Sequence, residues 1–144
     1  MKLRDIMTTN VKVISPTASV QDAARMMRSL DCGALPVCQD DRLVGLVTDR
    51  DLVVRALAED VDVEQFTVAD CMTTSVTFCF ENQSIDDVIR LMKEQKIRRV
   101  PVLNEARRIV GIVALGDLAV QAPQHEKIHS VLESLSDSEK TRAA

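Results

Sequence analysis

The sequence predicts a mixed α/β (α+β) fold: two copies of one unit, each β-α-β-β-α, closed on each other by a pseudo-two-fold pairing. Three observations predict it. DIMTTNVKVI from Asp5 matches DCMTTSVTFC from Asp70, with five of the first seven positions identical at an offset of 65. SVQDAARMM from Ser19 then lies over SIDDVIRLM from Ser84, LPV over VPV, and, one inserted residue later, VGLVTDRDL from Val44 over VGIVALGDL from Val110. Finally, a copy of roughly 50 residues buries too little surface to be stable alone, whereas two paired copies can close a core.

Taken in order, each copy opens with a short β-branched run, Val11-Lys12-Val13-Ile14 or Val76-Thr77-Phe78, read as a strand. Ser19 with Asp22, and Ser84 with Asp87, have the spacing of a capping box, in which a hydroxyl accepts a helical N–H and the acid favours the positive helix end. Behind the first cap Val20, Ala23, Ala24, Met27 and Leu30 recur on one helical face, as Ile85, Val88, Ile89 and Met92 do behind the second. Met26, Met27 and Met92 are read as core. Two strands follow, Leu35–Cys38 and Leu43–Thr48, or Val100–Leu103 and Ile109–Ala114. A second helix begins near Asp49 or Gly116. The first copy is placed at residues 1–58, an acidic linker at 59–66, the second copy at 67–121, and a C-terminal helix with a polar tail at 122–144.

The composition narrows the function classes. With three Phe and neither Tyr nor Trp, the core must be aliphatic. A net charge of −4 offers no general attraction to nucleic acid or to anionic membranes, and neither is expected as a partner. No apolar stretch approaches a membrane span and the N-terminus lacks a signal-peptide core, so a cytoplasmic location is expected. Cys32, Cys38, Cys71 and Cys79 lack C-x-x-C spacing and sit among apolar residues, as buried reduced thiols do.

The D-x-M-T opening of each copy, the LPV and VPV strands and the run GLVTDRDL together resemble the cystathionine-β-synthase (CBS) domain. Two such domains in tandem make a CBS pair, or Bateman module, and the resemblance spans roughly residues 1–120. It implies a regulatory module whose cleft between repeats takes an adenosine-containing ligand: AMP, ADP or ATP, or alternatively NAD or S-adenosylmethionine. No cofactor is required. In the family motif G-h-x-[ST]-x-x-D the Asp accepts from the ribose hydroxyls and the Ser or Thr helps hold ribose or phosphate, chemistry that suits an acceptor-only carboxylate. The first copy has the full motif, from Gly45 through Leu46 and Thr48 to Asp51. The second keeps Asp117 but has Ala114 where the hydroxyl belongs.

The resemblance also places basic residues three and two positions before the VPV proline, here Arg98 and Arg99; the first copy has Gly33 and Ala34 there. One cleft is thus expected to combine Thr48 and Asp51 with Arg98 and Arg99, lined further by Leu46, Thr73, Phe78 and Ile97. The cleft of Asp117 has neither hydroxyl nor cationic pair.

Plainer roles compete with these. Thr48 and Asp51 can cap the second helix, although Asp49 looks the better-placed cap. Strand alternation lets at most one of Arg98 and Arg99 face a cleft, leaving Arg99 on the rim. Arg107-Arg108 belongs to a turn. HEKIH, residues 125–129, has the H-E-x-x-H spacing of zinc proteases, but a catalytic zinc needs a third ligand and a substrate cleft. The chain has only these two His, and the repeats use up the rest of it. Val120, Ile128, Val131, Leu132 and Leu135 point instead to an amphipathic final helix with HEKIH on its wet face, and no metal site is expected.

The sequence therefore predicts a non-enzymatic sensor that signals to a regulated partner protein. The other reading is an assembly module that binds nothing small. A homodimer is expected in either case, because the second helices offer Leu52, Val53, Leu57, Leu118 and Val120.

Overall fold

Each long helix begins at its sequence cap. In the computed structural model, which describes residues 1–121 and 129–136, α1 (Val20–Leu30) starts behind Ser19, whose hydroxyl accepts the Asp22 N–H at 3.0 Å. Helix α4 (Ile85–Gln95) starts the same way behind Ser84, with the Asp87 carboxylate returning a bond to the Ser84 N–H. Both end in a left-handed residue, Asp31 or Lys96. All four predicted stripe residues of α4 are buried. On α1 only Val20, Ala23 and Met27 are, while Ala24 and Leu30 are exposed.

Strands β1 (Ala34–Gln39) and β2 (Arg42–Thr48) form an antiparallel hairpin. In the second copy β3 (Cys79–Phe80) pairs parallel with β4 (Arg99–Leu103), which pairs antiparallel with β5 (Ile109–Ala114), giving the order β3-β4-β5. The opening strands differ from expectation. Val76-Thr77-Phe78 precedes β3, and Val11–Ile14 shrinks to one parallel bridge, Ile14 to Val37. Proline explains the asymmetry. Glu81 extends the β3 ladder by donating its N–H to the Leu103 carbonyl at 2.9 Å; the matching residue in the first copy is Pro16, which has no N–H.

Helix α2 (Asp49–Asp51) runs into a π-helical turn, Leu52–Ala56, and a 3₁₀ turn, Leu57–Glu59. Its counterpart α5 (Leu115–Gln121) is regular. A short helix α3 (Val68–Cys71) opens the second copy, and residues 129–136 are helical. Among the described residues no helix is long and apolar enough to cross a membrane.

Two compact units result, and they exchange their opening segments. One runs from Lys12 to Val76; the other joins Met1–Val11 to the chain from Thr77 onward. In the first, Thr73 and Leu46 exchange both backbone bonds, at 2.8 and 2.9 Å; in the second, Thr8 and Ile112 do the same, at 2.9 and 3.0 Å. The D-x-M-T of each copy therefore packs on the strands of the other. Its Asp caps its own turn: Asp5 accepts the Lys2 N–H and Asp70 the Thr67 N–H and hydroxyl. Those bonds hold the Asp70 carboxyl below its ordinary pKa.

Each unit has its own aliphatic core. One gathers Ile14, Val20, Leu35, Val37, Val47, Val68 and Cys71, with Val61, Val63 and Phe66 of the acidic connection packed against it. The other gathers Leu3, Ile89, Met92, Val100, Val102, Val113, Leu118 and Val131. Leu118 is fully buried there and is not an exposed helix residue, contrary to expectation; it packs inside its own unit. Val131 is buried and Leu135 packs against the same core, but Leu132 is exposed and Val120 is an exposed residue of α5, so only part of the expected apolar stripe is covered. Ile128 lies outside the described residues.

All four cysteines are free thiols; Cys38, Cys71 and Cys79 are buried and Cys32 half-buried. Burial pushes the Cys38 and Cys79 thiols up to about 11, with smaller contributions from Asp41 and Asp87 respectively.

Close approach of the exchanged segments demands glycine. A Cβ on Gly45 would lie 2.6 Å from the Met72 sulfur and 3.0 Å from the Thr73 carbonyl oxygen; on Gly111 it would lie 2.5 Å from Met7 sulfur and 3.0 Å from the Thr8 oxygen. Gly116 has nothing within 4 Å of that position. Gly45→Ala and Gly111→Ala should each destabilise the fold by about 1–3 kcal/mol through overpacking. Gly116→Ala, within α5, should stabilise it by up to about 1 kcal/mol. Urea unfolding followed by circular dichroism checks this, since the chain has no Trp or Tyr to report fluorescence.

Candidate functional site

The expected site residues fall into two groups, one on each unit. In the Lys12–Val76 unit, β2 ends at Thr48 in extended geometry and α2 begins at Asp49. Thr48 is therefore the cap, not Asp49, whose own N–H is already bonded to the Gly33 carbonyl. The box is complete: the Asp51 N–H donates to Thr48 Oγ1 at 3.1 Å, and the Thr48 N–H to Asp51 Oδ2 at 3.0 Å. The capping role weighed for Thr48 and Asp51 is real.

Capping leaves chemistry to spare. The Thr48 hydroxyl accepts in the box and keeps its hydrogen to donate. Asp51 commits Oδ2 to the box, while Oδ1 lies 3.9 Å from Arg55 Nε and the side chain is 13% exposed. Leu46 and Thr73 stand beside each other through their paired backbone bonds, Leu46 half-buried and Thr73 exposed. Arg55 also donates from Nη1 to the Cys71 carbonyl at 3.3 Å. Burial raises the Cys71 pKa; the Asp51 charge adds to the rise and Arg55 opposes it.

The second unit shows how much the missing hydroxyl removes. The Ala114 N–H donates to Asp117 Oδ2 at 3.0 Å, but nothing answers from the Ala114 side chain. Arg98 and Arg99 are both exposed and both border one concavity of about 440 Å³ with Ala114, Leu115, Gly116, Ala119 and Leu132. Strict alternation does not apply, because β4 begins at Arg99 and Arg98 precedes it. Ile97 is half-buried against the core.

Phe78 keeps different company. Its ring meets Phe80 edge-to-face at 5.6 Å, and Arg107 lies 5.9 Å from each ring centroid. Arg107 occupies the β4–β5 turn with φ 63°, so the turn assignment holds. Its contact with two of the three Phe was not legible, since nothing in the local pattern brings residues 78, 80 and 107 together.

His129 is described and its Nε2 lies 3.0 Å from Glu133 Oε1 on an exposed helical face; His125 and Glu126 lie outside the described residues. Among the described residues no group of three His, Cys, Asp or Glu is placed to hold a metal.

Two copies of a helix–strand–strand–helix unit with exchanged openings, the second preceded by the short strand β3, and a capped Thr–Asp turn at the end of a glycine-bearing strand define a tandem-repeat architecture. The comparisons agree. The family model described as CBS domain matches residues 3–57 and 68–121, and the chain belongs to the CBS-domain family. Hypoxic response protein 1 of Mycobacterium tuberculosis is 40% identical over 129 residues, 89% of this chain and 90% of that protein. Its crystal structure, with two coordinated zinc ions, superposes with a TM-score of 0.76 at 39% identity, covering 84% of this chain and 98% of that one. CBSX2 of Arabidopsis thaliana in complex with AMP gives a TM-score of 0.74 at 31% identity, covering 85% and 96%. The CBS domain pair of MJ0100, in complex with 5′-methylthioadenosine and S-adenosyl-L-methionine, gives 0.73 at 28%, covering 84% and 94%.

Proposed function

We propose that this chain is a non-catalytic sensor of an adenosine-containing ligand of the AMP, ADP or ATP class, and that occupancy is signalled to a regulated partner protein. The observation that carries the reading is the Thr48–Asp51 pair. It is a capping box with a hydroxyl hydrogen and a carboxylate oxygen left for a ribose diol. Relatives with AMP, or with S-adenosyl-L-methionine and 5′-methylthioadenosine, support the ligand class. Arg98 and Arg99 supply the phosphate contacts in this reading: two exposed guanidiniums with forked donors are otherwise unexplained in an acidic chain. Leu46, Thr73, Phe78 and Ile97 are the proposed apolar and backbone surroundings, and Asp117 is proposed as a weak ribose acceptor. The zinc of hypoxic response protein 1 has no donor cluster to match it among the described residues.

Asp51→Ala should cost about ten- to a hundredfold in AMP affinity by calorimetry. Asp117→Ala breaks the matching cap bond and should leave AMP binding within about twofold, which separates ligand contact from helix capping. Arg98→Ala should weaken AMP more than adenosine, and the difference should shrink with salt. Equal losses from the two Asp variants would contradict the assignment.

An assembly role, with or without ligand, is favoured by one further observation: Val53, Leu57 and Val120 are 54%, 68% and 76% exposed on the second helices. We place the homodimer contact there, without Leu118. Light scattering should find about twice 16.0 kDa at tens of micromolar, and Leu57→Glu should return it to the monomer mass. A monomeric wild type removes the proposal.

A further inference from the structure

We propose that Arg55 is a positioning residue that reads occupancy at Asp51 and passes it to the opening segment of the second copy. This rests on the reading of Asp51 as the ribose acceptor. Asp51 Oδ2 already accepts the Thr48 N–H, which leaves Oδ1 as the more available oxygen for a ribose diol, and that is the oxygen 3.9 Å from Arg55 Nε. The same guanidinium donates to the carbonyl of Cys71, the last residue of α3, at 3.3 Å. Helix ends leave carbonyls without intrahelical partners, and Arg55 satisfies this one.

One side chain thus ties the candidate ribose acceptor to the segment carrying Met72 and Thr73. The second copy lacks this tie: after the one-residue insertion, the residue matching Arg55 is Gln121, which bears no charge. The π-helical turn at Leu52–Ala56, which α5 does not share, contains Arg55. A diol that donates to Oδ1 draws on the same oxygen that attracts the Arg55 guanidinium and weakens its hold there. Ligand and Arg55 therefore compete for that oxygen. Linkage then requires that whatever the ligand does to the Arg55 contact, loss of Arg55 does to the ligand in equal measure.

Arg55 is 53% exposed at its side chain, so the coupling is small, about two- to fivefold. The test is Arg55→Gln, which installs the residue found in the other copy. Two quantities are read in the full chain: adenosine affinity by calorimetry, and the rate of iodoacetamide alkylation at Cys71 relative to Cys38, mapped by mass spectrometry. Both thiols are buried in the same unit, so the ratio cancels global opening; losing the Arg55 charge by itself disfavours the Cys71 thiolate and slows alkylation, so a higher ratio reports local release of α3.

The expected result is a Cys71/Cys38 ratio raised about fivefold in Arg55→Gln, with adenosine bound about two- to fivefold more tightly. Saturating adenosine should raise the ratio in the wild type and leave it unchanged in the variant, a response that a merely structural arginine would not give. An unchanged ratio in the variant, or weaker adenosine binding, overturns the proposal. Loss of AMP affinity with adenosine unaffected also overturns it, because Arg55 would then be a phosphate ligand. Should the wild type bind no adenosine, the sensor reading fails, while the ligand-free labelling ratio still judges the Arg55–Cys71 tie separately.

Discussion

The exchange of backbone hydrogen bonds between each opening segment and the other copy's strand is the constraint from which the rest follows. Leu46 with Thr73, and Ile112 with Thr8, use the outer edge of β2 and β5, and this is possible only because Gly45 and Gly111 let a methionine side chain pass where a Cβ would stand. The glycine of the G-h-x-[ST]-x-x-D pattern is thus a packing requirement before it is anything to do with ligand. Once the opening segment is fixed on the strand, the strand end is fixed, and with it the Thr48 cap and the first turn of α2. The geometry of the candidate site is inherited from a backbone pairing.

The two copies then diverge through small chemical differences at equivalent places. Pro16 stops a ladder that Glu81 continues, because one lacks an N–H. Thr48 completes a capping box that Ala114 leaves half made. Arg55 reaches the acidic residue of its motif where Gln121 cannot do so with a charge. Each change is worth on the order of 1 kcal/mol or less in stability, well within what a folded domain tolerates. In the proposed function they decide which motif can hold a ligand.

Much of this was legible in the sequence, for physical reasons that can be named. Capping boxes and the 3.6-residue stripe are local, so the starts of α1 and α4 were readable to the residue, and β5 had its predicted bounds. Ala24 and Leu30 were misassigned to the buried face because periodicity says which residues share a face, not how wide the covering surface is. Thr48 rather than Asp49 is the cap because the last residue of β2, still extended, already sits one residue before the helix and forms a reciprocal box with Asp51, a spacing legible in the sequence but set second to Asp49. The swap of the opening segments was not readable: the repeat locates D-x-M-T in its own copy, and nothing local reveals that its hydrogen-bonding partner is 27 residues away, at Leu46 for Thr73, or 104 away, at Ile112 for Thr8. The same holds for Phe78 and Phe80 under Arg107, whose contact is set by the register of β3 on β4 and the turn that follows.

Amide hydrogen exchange by NMR tests the exchanged pairing most directly. Thr8 and Thr73 are solvent-exposed residues, and exposure alone would make their amides exchange at nearly unfolded rates. If their N–H groups are held by Ile112 and Leu46, all four amides should be protected to an extent approaching that of the core strands β2 and β5. Rapid exchange at Thr8 and Thr73, with protection confined to Leu46 and Ile112 or absent from all four, would contradict the pairing and, with it, the account of how the Thr48–Asp51 turn is positioned.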